Sequence, residues 1–187
     1  MLFNSLLFPI FLAVSYLVWS LIQQWRWPRM AWLLLISAFF YGCWHPWYLV
    51  LIGLSTVNSF YFGGWIGRVT NEILRKRLLI TSVSLDLLLL GVFKYGNFFL
   101  ENVEALGPLM GTEWSLPRIE SELPVGISFY TFQSLSYTVD IYRKKLKPTR
   151  SLLDFATFVF FFPQLVAGPI VRARHFLPQL ELRPRMD

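Results

Sequence analysis

Four stretches of this chain carry no formal charge: residues 1–25, 30–67, 123–139 and 155–171. Apolar runs of about 18 residues or more are long enough to cross the hydrocarbon core of a bilayer as a helix. Lipid offers no water to an exposed backbone amide, so such runs must close their hydrogen bonds internally, as helices. The apolar residues are continuous rather than alternating, which disfavours a β-barrel. Composition agrees. Charged residues make up only 15% of the chain and hydrophobic ones 55%, with a mean hydropathy of +0.50. A soluble domain needs a more charged surface. The fold class is therefore an all-α polytopic membrane protein, with residues 1–187 as a single membrane domain. The first 20 residues lack the basic start of a cleavable signal and are expected to be a retained first span.

Punctuation along the chain divides it into about five spans. The first runs from Leu2 to Ile22, followed by a linker at 23–29 with Arg26 and Arg29. The stretch 30–67 divides at Gly42-Cys43-Trp44-His45-Pro46-Trp47, where a proline and interfacial tryptophans suit a turn. A linker follows from Arg68 to Arg77, then a fourth span from about Leu78 to Phe99. Residues 100–122, with five glutamates, Gly107-Pro108 and Pro117, read as a polar loop. A fifth span starts near Leu123-Pro124 and reaches Tyr142, ahead of the basic octet Arg143–Arg150.

The linkers alternate in charge. One crossing per span puts 23–29, 68–77 and 143–150 on one side, with net charges of +2, +3 and +5. The turn at 42–47 and the loop at 100–122 fall on the other side, with 0 and −4. The positive-inside rule makes the basic side cytoplasmic and puts the N-terminus outside. The overall charge of +6 is then explained by cytoplasmic loops, without nucleic acid. Cys43 is the only cysteine, and His45 and His175 lie far apart. No disulfide, CxxC site or metal motif is possible from these.

Several residues carry the chemistry. Gly126, Tyr130, Gln133, Tyr137 and Asp140 fall at spacings of 4, 3, 4 and 3, one face of a helix. A polar stripe in a membrane helix faces protein or water. It either walls a polar tunnel or supplies interhelical hydrogen bonds. Asp140 is also placed to pair with Arg143 and Lys144. Asp86, in mid-span, is a candidate intramembrane functional carboxylate or a buried structural one. Lys94, two turns on, is expected to extend toward headgroups rather than pair with it. His45 suits an interfacial belt, and nothing places an acid partner beside His175. The basic octet sets orientation, or draws an anionic donor to a cytoplasmic mouth through Arg143 and Lys144.

The segment Phe160-Phe161-Phe162-Pro163-Gln164-Leu165-Val166-Ala167-Gly168-Pro169-Ile170 is poor material for a straight span. Ser151 and Asp154 have the spacing of a helix-start capping box. A helix from Leu152 to Phe162 would rise only about 16 Å, half the bilayer core. Pro163 and Gly168-Pro169 then oppose continuation. A straight crossing would also carry Arg172 and Arg174 to the outer side, against the charge pattern. A bent or re-entrant helix returns them to the cytoplasmic side. Non-helical backbone at depth needs burial or a water-filled cavity. Gln164 to Ile170, including Gly168 and Pro169, is therefore expected to line the inner half of a tunnel.

The run from Leu123-Pro124-Val125-Gly126-Ile127-Ser128 through Phe132-Gln133-Ser134 to Tyr137, with Asp140-Ile141-Tyr142-Arg143, resembles the signature of the membrane-bound O-acyltransferases. The likeness is to the branch that O-acetylates alginate and transfers D-alanine to teichoic acid. His175-Phe176-Leu177-Pro178-Gln179-Leu180, Phe40-Tyr41-Gly42, Pro46-Trp47-Tyr48-Leu49 and Phe93-Lys94-Tyr95-Gly96-Asn97-Phe98-Phe99 are similar to the same branch. The resemblance implies the N-terminal part of a multi-helix fold around a membrane tunnel, incomplete at its C-terminal end. It implies an acyl thioester donor, such as acetyl-CoA or an acyl-carrier protein, drawn from the cytoplasm, with no bound cofactor. It further implies a bacterial cytoplasmic membrane, an envelope polysaccharide acceptor and partner acyl-transfer proteins outside. The family's catalytic histidine lies downstream of the PQLVAGP-type segment, so no catalytic role passes to His45 or His175. The expected function is acylation of envelope polysaccharide hydroxyls, by a chain inactive alone. The alternatives are a transporter or export-complex subunit, and a non-functional truncated remnant.

Overall fold

The structure, a computed structural model, describes residues 7–108, 115–118, 126–167 and 171–182. Among these residues the regular structure is entirely helical. The elements are α1 (Leu7–Ile22), α2 (Arg26–Gly42), α3 (Tyr48–Arg68), α4 (Glu72–Leu106), α5 (Ile127–Tyr142), α6 (Leu152–Phe160), α7 (Phe162–Ala167) and α8 (Ala173–Glu181).

Helices α3 and α4 are long and apolar enough to cross a membrane. Large apolar side chains stand exposed along α1 (Ile10, Val14, Leu17), α3 (Leu54, Val57) and α4 (Leu85, Leu88, Val92). Such a surface is at home against lipid tails and not against water. The chain is accordingly a membrane protein.

Charge marks the border of the apolar stretch, not the end of the helix. The linker expected over Arg68–Arg77 shrinks to 69–71, because Asn71 caps α4: its side chain accepts hydrogen bonds from the amides of Ile73 and Leu74. At about 1.5 Å per residue the 35 residues of α4 reach roughly 52 Å, well beyond a hydrocarbon core of about 30 Å. The fourth apolar stretch therefore continues as helix through Leu106, into the segment expected to be a loop. Likewise α2 begins at Arg26, inside the first expected linker. The turn between α2 and α3 lies where the prolines and tryptophans put it. Leu123–Val125, the expected start of the fifth span, lie outside the described residues. Helix α5 begins at Ile127, after Gly126 in a left-handed conformation (φ 76°).

The core is the bundle of α3, α4 and α5, with α6 closing it from the α2 side. Tyr41, Ile52, Ile66, Tyr130, Tyr137, Phe155 and Phe158 are its buried centre. Two glycines let the helices and loop close in. A Cβ at Gly63 would lie 2.5 Å from the Tyr137 ring, and one at Gly67 would lie 2.5 Å from Pro148. Tyr137 itself packs against Phe155, ring centroids 4.3 Å apart and tilted by 38°, and accepts a hydrogen bond from the Thr149 amide.

Candidate functional site

The broken segment folds back. Asp154 pairs with Arg26 at 2.7 Å, Thr157 approaches the carbonyl of Met30, and the Phe162 amide donates to the Ser37 hydroxyl at 3.3 Å. Both sequences ascend together, so α6 runs parallel to α2. Phe162 reaches the second half of α2, with its ring 5.1 Å from Phe40. The chain then returns. Arg29 Nη2 donates to the carbonyls of Leu180 (2.8 Å) and Leu182 (3.2 Å), at the end of α8. The start of α6 and the end of α8 thus both lie toward the start of α2. Ser151 caps α6 through the Asp154 amide at 3.1 Å. The expected single helix to Phe162 is instead two helices meeting at Phe161. Pro163 sits in the first turn of α7, where a missing N–H costs nothing. Gln164 is buried on α7, whereas Gly168, Pro169 and Ile170 lie outside the described residues.

The polar stripe of α5 faces inward. Tyr130, Gln133, Tyr137 and Asp140 are all buried, together with Thr131, Ser134 and Thr138. Tyr130 Oη, Thr131 Oγ1, both amide atoms of Gln133, Ser134 Oγ and Asp140 Oδ2 have no hydrogen-bond partner among the described residues. Orphan polar atoms in such number are unusual, since each costs about 1–3 kcal/mol. Asp140 does not pair with Arg143 or Lys144 as expected from the sequence. Its backbone carbonyl instead accepts from the amides of Lys145 and Leu146.

Asp86 is buried on α4 and held from α3. Ser55 Oγ donates to one carboxylate oxygen at 2.9 Å and Ser59 Oγ to the other at 3.0 Å. Sequence reasoning singled out Asp86 and missed its partners, which recur one turn apart on α3. Lys94 reaches the Ser128 hydroxyl at the start of α5 (3.3 Å) and lies over the Tyr95 ring (5.2 Å), apart from Asp86.

At the basic end, Arg75 locks three helices. It donates to the carbonyls of Ile66 (3.2 Å) and Tyr142 (2.8 Å) and to Glu72 (2.8 Å). Lys144 also reaches Glu72, at 3.2 Å. The hydrogen bond from Lys144, with a further one from Arg75, holds the Glu72 carboxyl below its usual range. Around them is a cavity of about 490 Å³, lined in part by Arg68, Glu72, Arg75, Lys144 and Lys147. Asp140, Arg143 and Arg172 line a separate cavity of about 260 Å³. Arg174 donates from Nε to His175 Nε2 at 3.1 Å, and His175 is exposed on α8. His45 is exposed at the α2–α3 turn, its ring 5.1 Å from Tyr48. Neither histidine joins the α5 stripe. Among the described residues no cluster of metal-ligating side chains occurs.

Comparison with known proteins supplies the relationship. The chain is 39% identical over 184 residues to the probable alginate O-acetylase AlgI of Pseudomonas syringae pv. tomato, covering 97% of this chain and 34% of the relative. The probable alginate O-acetylase AlgI of Azotobacter vinelandii is 38% identical over 184 residues, covering 97% and 35%. The peptidoglycan O-acetyltransferase of Helicobacter pylori is 32% identical over 212 residues, covering 97% and 39%. No protein-family profile and no solved structure matches. The chain spans about a third of the length of the curated relatives it matches. Along nearly its whole length, then, the chain is similar to proteins named as alginate O-acetylases and as a peptidoglycan O-acetyltransferase.

Proposed function

We propose that this chain forms the N-terminal third of a membrane-embedded O-acetyltransferase acting on hydroxyls of a cell-envelope polysaccharide such as alginate. The observation that carries this reading is its similarity, across 97% of its length, to proteins named for alginate and peptidoglycan O-acetylation. It crosses the bacterial cytoplasmic membrane about five times, N-terminus outside, with the α6–α8 segment re-entering from the cytoplasm.

The α5 stripe of Tyr130, Gln133, Tyr137 and Asp140 walls a polar tunnel, with Gln164, Gly168 and Pro169 beside it. The buried orphan polar atoms on α5 support this. Arg143, Lys144, Arg172 and Arg174 draw an anionic acyl thioester, acetyl-CoA or an acyl-carrier protein, to the cytoplasmic mouth. Acetylation then requires attack of an acceptor hydroxyl on the thioester carbonyl, loss of the thiol and removal of the hydroxyl proton by a general base. That base and the external partner proteins come from outside this chain.

A segment exchange tests the proposal. In a Pseudomonas relative, this chain would replace the matching third, and O-acetyl groups on secreted alginate would be measured. The expected result is acetylated alginate from the chimera, none from this chain alone, and a reduced yield for chimeras with Gln133→Leu or Asp140→Leu. Acetyl transfer by the isolated chain would overturn the assignment of the base. A stably inserted chimera without any acetylation would overturn the reading itself.

A further inference from the structure

A groove apart from the α5 stripe has the chemistry of a lipid site. A cavity of about 510 Å³ lies between α1, α2, the start of α7 and α8, with Leu12, Leu33, Ile36, Phe162 and Phe176 among its walls. That volume falls within the range of roughly 300–1,000 Å³ usual for ligand pockets. Toward the basic end a second cavity of about 350 Å³ shares Trp19, Leu33, Gln179 and Leu180 with the first and includes Arg29 in its lining.

Arg29 is only 5% exposed. Its guanidinium donates to the carbonyls of Gln23, Leu180 and Leu182, all neutral acceptors. Its Nε has no partner among the described residues. Asp154, the carboxylate nearby, is bonded by Arg26. Among the described residues two cations therefore share one anion, and a buried cation without a counter-ion is costly. With Nη2 donating to the carbonyls of both Leu180 and Leu182, the guanidinium offers a phosphate its charge rather than a paired fork of donors.

We propose that this groove binds an anionic phospholipid, its phosphate beside Arg29 and an acyl chain along Leu33 and Phe176. The tail alone cannot select the site, because bulk lipid is equally apolar. Selection rests on the headgroup charge. A free phosphate ion would satisfy Arg29 but leave the joined apolar cavity unfilled, so the geometry favours the lipid. α1 packs chiefly on α2, through Phe8, Phe11 and Trp32, and a lipid lying in the groove would bridge α1 to α8.

Native mass spectrometry of the purified full chain, exchanged into mixed phosphatidylglycerol and phosphatidylcholine micelles, tests this. The wild-type chain should retain phosphatidylglycerol about tenfold over phosphatidylcholine, as expected for one charge-assisted hydrogen-bonded contact. Arg29→Gln should erase the preference and Arg29→Lys should keep most of it. Leu33→Trp, which fills the groove, should remove both retained lipids. Equal retention by the wild type, an unchanged preference in Arg29→Gln, or intact retention in Leu33→Trp would each overturn the proposal. Thermal protection by inorganic phosphate equal to that by phosphatidylglycerol would overturn it in favour of a free-anion site. Should Arg29→Gln fail to fold, Arg29→Lys and Leu33→Trp decide the matter.

Discussion

Gly63 on α3 meets the ring of Tyr137 on α5 so closely that a methyl group at 63 would lie 2.5 Å from ring carbon Cε1 and 3.0 Å from Ile141 Cδ1. The ring cannot yield easily, since Phe155 packs against it and the Thr149 amide holds its hydroxyl. Alanine in a helix interior usually gains about 1 kcal/mol over glycine. Overpacking a core costs about 1–3 kcal/mol. Gly63→Ala should therefore be net destabilising by about 1 kcal/mol, and Gly63→Leu by more. Gly64, beside open space, should tolerate alanine with a small gain. Thermal unfolding in detergent checks the contrast. Equal behaviour at 63 and 64 would sink it.

Asp86 is predicted to be held by its two serines rather than by a cation. Asp86→Leu strands the hydroxyls of Ser55 and Ser59 in the α3–α4 contact, at about 1–3 kcal/mol. Replacing both serines by alanine in the Asp86→Leu background should recover much of that loss. A double-mutant cycle with additive losses would show that the three residues do not act together.

The end of α5 carries a second test. Lys144 holds φ at 59°, where the Lys144 amide bonds the Ile141 carbonyl and the Lys145 amide bonds that of Asp140. This is a Schellman closure with lysine where glycine is usual. A side chain in that conformation costs roughly 1 kcal/mol. Lys144→Gly should raise stability while losing the exposed contact with Glu72, which is worth little. Because the Glu72 carboxyl titrates below its usual range, its charged form stabilises the fold above the unfolded carboxylate value. That contribution fades as pH falls through the lowered folded value. Glu72→Gln should flatten the acid limb of a stability–pH curve, and an unchanged acid limb would refute the assignment.

The topology of the returning segment can be read by labelling. Native Cys43 lies exposed at the turn between α2 and α3. It should react with an impermeant maleimide from outside intact cells. Cysteine at Arg172, in a Cys43→Ser background, should react only after permeabilisation. Labelling of both from the same side would exclude the proposed orientation.

Much of this was legible in the sequence, for identifiable reasons. Charge-free runs marked the apolar stretches because lipid excludes charge. The turn at 42–47 carried proline and tryptophan. The Ser151–Asp154 spacing announced a helix start that the structure keeps. The prolines of the broken segment announced that the helix from Leu152 would not run on as one straight span. Helix ends were less legible, since α4 runs past its apolar borders and its cap is a single asparagine. Partners were least legible. Ser55 and Ser59 look ordinary until α4 sets Asp86 against them, and Arg29 reads as a loop charge until α8 covers it. Asp140 sits beside two cations in sequence and bonds neither, because the Schellman turn carries Lys144 away to Glu72.

The parallel course of α2 and α6 has an electrostatic consequence. Two helices side by side in the same direction bring two positive helix starts together, a repulsive pairing of dipoles. Arg26, at the head of α2, worsens it. The carboxylate of Asp154 stands in the first turn of α6 and within 2.7 Å of Arg26, so one negative charge answers both helix starts and the arginine. Asp154 is 8% exposed and Arg26 48%. Losing Arg26 takes the hydrogen-bonded partner from a buried anion, whereas losing Asp154 leaves Arg26 as a cation that water can reach. Arg26→Ala should therefore cost the bundle more than Asp154→Asn. Asp154→Asn in turn should speed amide hydrogen exchange in the first turns of α2 and α6 together, as two helix ends fraying in concert.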